Sequence, residues 1–370
     1  MKPEDIEEWN CGRKEEKMER KRAIAQDRSK YKKSDHSKYL LGLDRALTSK
    51  LSKHVWQEGR VLSIIPQGIV VHCGEEQLCC TLKGLLKKNK TRAKNLVAVG
   101  DLVLFEKIAP SEGIISHVLP RHTILSRADN LSRRNQQILA VNVDQVLITA
   151  SVLNPPLKPA IIDRYIIAAC KGAMQPVIVI NKIDLLESVE ESLLLDEQKL
   201  CYEELQEAYA AVNIPLIGVS AIETNGMEAL KEIMRDKTSV FSGPSGVGKS
   251  SLINVLTGLN LRTGEVVEKT KKGSHTTTTT QLLSLPFGGW CVDTPGIKSF
   301  GVWDLQLEEI ENYFTEIHAL GAQCKFANCS HLHEEDCAVI AAVEVGTLSP
   351  WRYDSYQALR HSVGQQHVRR

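Results

Sequence analysis

The residues that most clearly indicate chemistry are the glycines and the lysine of "GPSGVGKS", residues 243–250. An apolar run precedes this stretch and a helical pattern follows it. Glycines let backbone N–H groups turn towards phosphate oxygens, the helix N-terminus adds a favourable dipole, and Lys249 supplies positive charge. Ser250 offers a hydroxyl ligand to magnesium. The stretch predicts a phosphate-binding loop made of Gly243, Pro244, Ser245, Gly246, Val247, Gly248, Lys249, Ser250 and Ser251.

A second short motif, "NKID", comes about sixty residues earlier and follows the apolar run "PVIVI". The carboxylate of Asp184 can accept hydrogen bonds from N1–H and the 2-amino group of guanine, a pair of donors that adenine does not offer. Asn181 can serve N7 of the base, and the stem of Lys182 can cover the ring face. Asn181, Lys182, Ile183 and Asp184 together predict a base-reading loop, although in isolation the four residues are a weak signal and a surface turn would be the better interpretation.

The tetrapeptide "SAIE" ends a third apolar run, where the backbone of Ser220 and Ala221 could close over a base. Together with the phosphate loop, the two motifs favour a guanine nucleotide. A buried acceptor that the wrong base leaves unpaired makes such a site discriminating. An adenine-specific ATPase is the nearest alternative.

The stretch "WCVDTPGIKSF" predicts a third part of the same site. Asp293 would hold magnesium through a water molecule, and the amide of Gly296 would point at a γ-phosphate. Ras-like enzymes carry a glutamine at the next position to orient the attacking water. This chain carries Ile297, which has no polar atom, so either hydrolysis is slow or another residue orients the water.

The segment "KKGSHTTTTT" offers that other residue. His275 can both accept and donate a hydrogen bond near neutral pH, so we predict that it positions the water. The run of five threonines leaves open which of them binds magnesium. We favour Thr277, which would bind the ion together with Ser250. The alternative for His275 is an exposed loop histidine with no catalytic role.

A local cluster, "CKFANCSHLHEEDC", predicts a metal site of another kind. Three thiolates and one imidazole from Cys324, Cys329, His331 and Cys337 form a tetrahedral set that suits zinc. The set leaves no open position, so the metal would be structural rather than catalytic. His333 could replace His331 by spacing alone.

Composition places these motifs in a globular protein of ordinary make-up. The chain has 370 residues, 42% of them hydrophobic, and a formal net charge of +1, and its length predicts two or three domains. Its ten cysteines and charged N-terminus predict a reducing compartment, with thiols free or bound to metal. Since no apolar run reaches about eighteen residues, we expect a cytoplasmic protein that is not inserted in a membrane.

Residues 1–50 and 51–119 predict two different segments. The first is expected to be a basic, flexible extension, either a solvated, partly helical tail or an arm that orders on nucleic acid. The second holds five short strand-like runs separated by turn signals, which predict a small β-barrel of the OB type. The five runs are "GRVLSII", "GIVVHC", "EQLCCTL", "LVAVGDLVLFEK" and "EGIISHVL". Its basic stretch "KGLLKKNKTRAK" is either an RNA contact or a plain surface loop.

From residue 120 the chain alternates apolar strands with helices, which predicts a mainly parallel sheet covered on both faces over residues 120–300. The stretch "RHTILSRADNLSRRNQQ" is interpreted as a connecting segment. Residues 301–370 hold helical patterns around the cysteine and histidine cluster. The predicted fold class is an α/β P-loop domain between a β-barrel and a helical zinc-binding domain.

The order "NKID", "SAIE", "GPSGVGKSS", "HTTT", "DTPG", followed by the Cys-x4-Cys-x-His-x5-Cys cluster, resembles the RsgA family of circularly permuted GTPases in ribosome assembly. The resemblance implies a monomeric GTPase that binds the small ribosomal subunit late in its maturation. GTP would be hydrolysed to GDP and phosphate, with Mg²⁺ and with stimulation by the subunit. The barrel and the zinc domain would contact ribosomal RNA, and His275 would position water. An RNA-binding scaffold gated by nucleotide, with incidental hydrolysis, is the alternative.

Overall fold

The computed structural model describes residues 56–83, 96–129, 132–187, 193–259, 280–293 and 305–368, without the side chains of residues 127–137 and 366–368. Several predictions fall outside these ranges and stay predictions. They concern the N-terminal extension, nearly all of the basic barrel loop, His275, Thr277, Gly296 and Ile297.

The first five strands form the closed barrel that the sequence predicts. The strand β1 pairs with β4 to close it, and β3 runs parallel to β5. Alternate side chains face inward, because successive residues of a strand point to opposite faces, and they bury Val61, Val71, Phe105 and Ile115 completely. The strands are β1 (Gln57–Ile65), β2 (Gly68–Cys73), β3 (Glu76–Leu82), β4 (Leu102–Ala109) and β5 (Glu112–Val118).

Two local predictions around the barrel were wrong. The run "LVAVGDLVLFEK" is not one strand, since β4 starts only at Leu102. Before it, the buried carboxylate of Asp101 accepts hydrogen bonds from the Ala98 amide (2.7 Å) and from two nitrogens of Arg121 (2.7 and 2.8 Å), which stabilises a turn. The supposed connecting segment instead forms an antiparallel pair, β6 (Ile124–Asp129) with β7 (Ser132–Val141).

The central domain is built on six strands in the order β10-β9-β8-β11-β13-β12, of which the first five run parallel. All residues of β8 and β11 are buried, because helices cover both faces of the sheet. The strands are β8 (Gln145–Ser151), β9 (Gln175–Asn181), β10 (Leu216–Val219), β11 (Thr238–Ser242), β12 (Gln281–Ser284) and β13 (Trp290–Asp293). The helices are α1 (Pro159–Lys171), α2 (Leu193–Ala211), α3 (Met227–Met234) and α4 (Lys249–Thr257).

The barrel and the central sheet are joined edge to edge into one eleven-stranded sheet. Ser63 of β1 pairs with Gln281 of β12. Nearby, Arg60 donates to the hydroxyl of Thr238 (3.0 Å) and lies 5.8 Å from the ring centre of Trp290, and His72 meets the same indole edge-on at 5.0 Å. The barrel is therefore packed against the starts of β11 and β13.

The C-terminal helices form a small module with its own core, which docks on α1. Its helices are α5 (Leu307–Ile310), α6 (Thr315–Gly321), α7 (Ala338–Glu344) and α8 (Pro350–Val368). The buried guanidinium of Arg352 on α8 binds Asp163 of α1 and Glu316 of α6, and it lies 4.4 Å from the ring centre of Phe314. Burial alone would lower the pKa of Arg352, but the two carboxylates raise it, so the guanidinium stays charged.

Of the helices that the structure describes, none combines the length and the apolar character needed to cross a membrane.

Candidate nucleotide-binding site and metal centre

The phosphate loop lies between β11 and the N-terminus of α4, at the carboxyl edge of the parallel sheet. Lys249 is the first residue of α4, and its ammonium group donates to the carbonyls of Gly243 (2.9 Å) and Pro244 (2.5 Å). Burial lowers the pKa of Lys249. Because the fold places this ammonium group inside the loop, the negative charge of a bound phosphate chain would offset the cost of burying it.

Two glycines of the loop are required by space as well as by backbone conformation. Gly243 has φ +148°, and a Cβ there would lie 2.1 Å from the carbonyl oxygen of Thr149. Gly248 has φ +91°, and a Cβ there would lie 2.2 Å from the side-chain nitrogen of Asn181. Both positions are therefore closed to other residue types, which explains the glycine spacing of the motif.

Asn181 ties the three predicted loops together. It is the last residue of β9 and is 2% exposed. Its amide nitrogen donates to the carbonyl of Val247 in the phosphate loop (2.9 Å), and its amide oxygen accepts from the backbone N–H of Ala221 (3.3 Å). Motifs separated by up to 66 residues along the chain thus meet at one side chain.

Asp184 offers an acceptor that the protein does not use. It lies in a short 3-10 helix, Ile183–Glu187, directly after β9. Its Oδ1 atom is buried and has no hydrogen-bond partner. A buried carboxylate oxygen without a donor is unfavourable unless a ligand supplies one. The two N–H donors on one edge of guanine could supply the hydrogen bond that this oxygen lacks.

The remaining residues of the base-reading loop are held by the loops beside them. Lys182 has a positive φ of +65°, and its ammonium group donates to the carbonyl of Asn154. Ser220 is fully buried, and its hydroxyl accepts from the amides of Ile222 (3.3 Å) and Glu223 (3.1 Å). These contacts fix the backbone of both loops before any nucleotide binds.

Asp293 ends β13, beside the strand that leads into the phosphate loop. Burial raises the pKa of Asp293, and a hydrogen bond from the amide of Gln281 (3.4 Å) opposes that shift. The Ser250 hydroxyl, at the start of α4, and this carboxylate offer hard oxygen atoms at the same sheet edge. Such a donor set fits Mg²⁺, which takes one or two protein oxygens beside substrate phosphates.

The predicted cysteine and histidine cluster is assembled in the C-terminal module. One ligand atom from each of Cys324, Cys329, His331 and Cys337 lies within 4.8 Å of all the others. The Nδ1 atom of His331 is 3.5 Å from the sulfur of Cys324 and 3.4 Å from that of Cys337, and those two sulfurs are 3.8 Å apart. The alternative histidine, His333, is exposed, so the structure brings His331 into the cluster instead.

These distances fit a tetrahedral zinc ion. Ligands at about 2.3 Å from such an ion lie about 3.8 Å from one another. The three cysteines form no disulfide. Burial raises the pKa of the Cys329 thiol to about 12, and the neighbouring Cys337 and Cys324 add to the shift. A group of crowded thiols of this kind needs a cation to become thiolates together.

A second layer of contacts orients the histidine. The Nε2 atom of His331, which faces away from the sulfurs, lies 3.6 Å from a carboxylate oxygen of Glu311. The hydroxyl of Tyr353 on α8 donates to the His331 carbonyl at 2.8 Å. A carboxylate behind a ligating imidazole fixes its orientation in many zinc sites. No local pattern indicates Glu311, which precedes the first residue of the cluster by thirteen positions.

The base-reading loop comes before the phosphate loop along this chain, yet both lie on one parallel sheet with the topology of a nucleotide-binding α/β domain. This arrangement defines a circularly permuted GTPase domain. The chain belongs to the RsgA GTPase family, whose model matches residues 118–303.

Individual relatives support this assignment. The chain is 39% identical to the "Small ribosomal subunit biogenesis GTPase RsgA" of Chlorobaculum tepidum, over 83% of this chain and 98% of that protein. The crystal structure of YjeQ from Thermotoga maritima is similar with a TM-score of 0.67 and 33% identity, covering 84% of this chain and 99% of that one. YloQ, described as a circularly permuted GTPase, is similar with a TM-score of 0.65 and 27% identity, covering 85% and 96%.

Proposed function

We propose that this protein is a GTPase that binds the small ribosomal subunit and assists its late maturation, with the subunit stimulating hydrolysis of GTP to GDP and phosphate. The observation that carries the guanine assignment is the buried, unpartnered Oδ1 of Asp184 beside the Asn181 junction. The name of the relatives, small ribosomal subunit biogenesis GTPase, supports the choice of the small subunit as partner.

In this proposal each loop has one task. Asp184 accepts from N1–H and the 2-amino group of the base, Asn181 binds N7 with the amide hydrogen that Val247 does not take, and the stem of Lys182 covers the ring. Ala221 and Ser220 close the base pocket. The phosphate loop, with Lys249 at its centre, encloses the phosphate chain through backbone N–H groups.

Hydrolysis then depends on one water molecule. Its oxygen attacks the γ-phosphorus, the bond from that phosphorus to the β–γ bridging oxygen breaks, and GDP leaves with the bridging oxygen. His275 accepts a hydrogen bond from this water and so aligns it, a task that Ile297 cannot perform. The Gly296 amide donates to the γ-phosphate.

Ser250, Thr277 and, through water, Asp293 would hold Mg²⁺, which when bound neutralises developing negative charge on the phosphates. Cys324, Cys329, His331 and Cys337 would hold one structural zinc ion that stabilises the C-terminal module.

Ribosomal RNA is the partner that the basic segments favour. The chain is almost neutral overall, but residues 83–94 of the barrel loop and the N-terminal extension concentrate lysine and arginine, which bind phosphate backbones. We assign residues 51–119 to the barrel, 120–300 to the GTPase domain and 301–370 to the zinc module. The proposed protein acts as a monomer in the cytoplasm.

Nucleotide-dependent binding to the subunit tests the partner. We expect the protein to co-sediment with purified small subunits about tenfold more tightly with a non-hydrolysable GTP analogue than with GDP, within the usual range of coupling between sites. Large subunits serve as the control particle. Equal affinity with analogue and with GDP would contradict a nucleotide-gated partner, and equal binding to large subunits would contradict the choice of subunit.

A further inference from the structure

We propose that Gln281 is a positioning residue for Asp293, held in place by the barrel. It would orient the carboxylate that binds magnesium-coordinated water, so this inference rests on the proposed role of Asp293. The glutamine belongs to no nucleotide-binding motif. Its position in the sheet is the evidence for this positioning role.

Gln281 is flanked by a strand on each side. In the antiparallel pair β12–β13 it lies directly opposite Asp293, and on its other edge it pairs with Ser63 of barrel strand β1. Its side-chain nitrogen lies 3.4 Å from Oδ2 of Asp293. Side chains directly opposite each other in antiparallel strands lie on one face and interact, so the backbone register itself delivers this amide to the carboxylate.

The barrel contacts the same strand pair at its other end. Trp290 begins β13, and it is contacted by Arg60 of β1 and His72 of β2. Arg60 also donates to Thr238 at the start of β11. The strands β12 and β13 are thus held by the barrel at the Gln281 end and at the Trp290 end, which limits how far Asp293 can shift against the phosphate loop.

The strength of the contact sets the expected size of its effect. At 3.4 Å the contact is longer than most N–H···O hydrogen bonds, so we assign it about 1 kcal/mol rather than the larger value of an ideal bond to a carboxylate. This free energy is about fivefold in an equilibrium constant. Removing the amide donor leaves Asp293 in place but free to rotate. In a variant without this amide, we therefore expect that more Mg²⁺ is needed to increase nucleotide affinity, and that the fold is kept.

Gln281→Met keeps the length of the side chain and removes its amide, so it isolates the contact. The measurement is affinity for a fluorescent GTP analogue as Mg²⁺ is titrated. We expect the Mg²⁺ concentration for half of the gain in affinity to rise about three- to tenfold, while affinity in excess EDTA stays at the wild-type value. The melting temperature should fall by no more than about 2–4 °C, the shift that about 1 kcal/mol causes in larger domains. Gln281→Glu, which places a second carboxylate opposite Asp293, should raise that concentration further.

Gln77→Met is the matched control, because Gln77 is an exposed strand glutamine on the outside of the barrel. It should leave the Mg²⁺ titration unchanged. A wild-type titration for Gln281→Met would overturn the inference.

Asp293→Asn separates this inference from the proposed function. If Asp293→Asn removes the Mg²⁺ effect and Gln281→Met does not, only the positioning role is wrong. If Asp293→Asn itself titrates like wild type, the magnesium role of Asp293 is wrong, and the inference falls with it.

Discussion

Replacing Asp184 with asparagine is expected to lower affinity for GTP by about 10⁴-fold, the cost typical of a site whose buried polar group meets the wrong partner. The asparagine NH₂ would face the 2-amino group of guanine, so two donors would oppose each other. Xanthosine triphosphate carries a carbonyl at that position, and the variant should bind it better than GTP. The measurement is a competition titration of GTP, XTP and ATP against a fluorescent nucleotide.

The structure separates this effect from a loss of stability. Oδ1 of Asp184 has no hydrogen-bond partner within the protein, so Asp184→Asn should melt at the wild-type temperature. Asp196→Asn is the matched control, since that carboxylate is exposed on α2. A variant that kept GTP affinity within about tenfold of wild type and gained none for XTP would contradict the assignment of Asp184 to the base.

Loss of the zinc site is expected to unfold the C-terminal module. Structural zinc contributes about 10–16 kcal/mol of binding free energy in small zinc peptides, which exceeds the stability of most small domains. The cluster lies against the module's only described core, which includes Phe314, Ile317 and Tyr356. Cys329→Ser should therefore reduce bound zinc from one equivalent to none and remove hydrogen-exchange protection from residues 305–368.

The chain offers two controls for this prediction. Cys170→Ser changes an exposed cysteine on α1 and should keep both zinc and protection. His333→Ala should keep zinc, whereas His331→Ala should lose it, because only the His331 imidazole faces the sulfurs. Full zinc content in Cys329→Ser, measured by elemental analysis, would show that the cluster is not the metal site.

Sequence alone was enough for the parts whose signals are local. The glycines near Lys249, the four residues after β9 and the spacing of the cysteines each reflect a short-range geometric need, and the barrel strands alternate in the regular way. Their order along the chain led to the permuted fold, which the structure confirms. The roles of the individual site residues stay predictions.

Features that depend on contacts between distant segments could not be predicted in this way. The pairing of Ser63 with Gln281 joins strands more than two hundred residues apart, and no pattern within either strand indicates it. The same holds for Arg352, whose partners Asp163 and Glu316 lie on other helices. Polar residues in helices usually face water, so the burial of Arg352 could be known only from the structure, in which the module is docked on α1.

The measurement that tests the account most directly is GTP turnover by the purified protein, with and without small ribosomal subunits, beside His275→Ala and an ATP control. We predict strong stimulation by the subunit, a loss of about 10²-fold or more in the variant while GTP binding is retained, and no comparable turnover of ATP. Turnover that the subunit does not change would point to a nucleotide-gated scaffold instead, and equal turnover of ATP would contradict the guanine site itself.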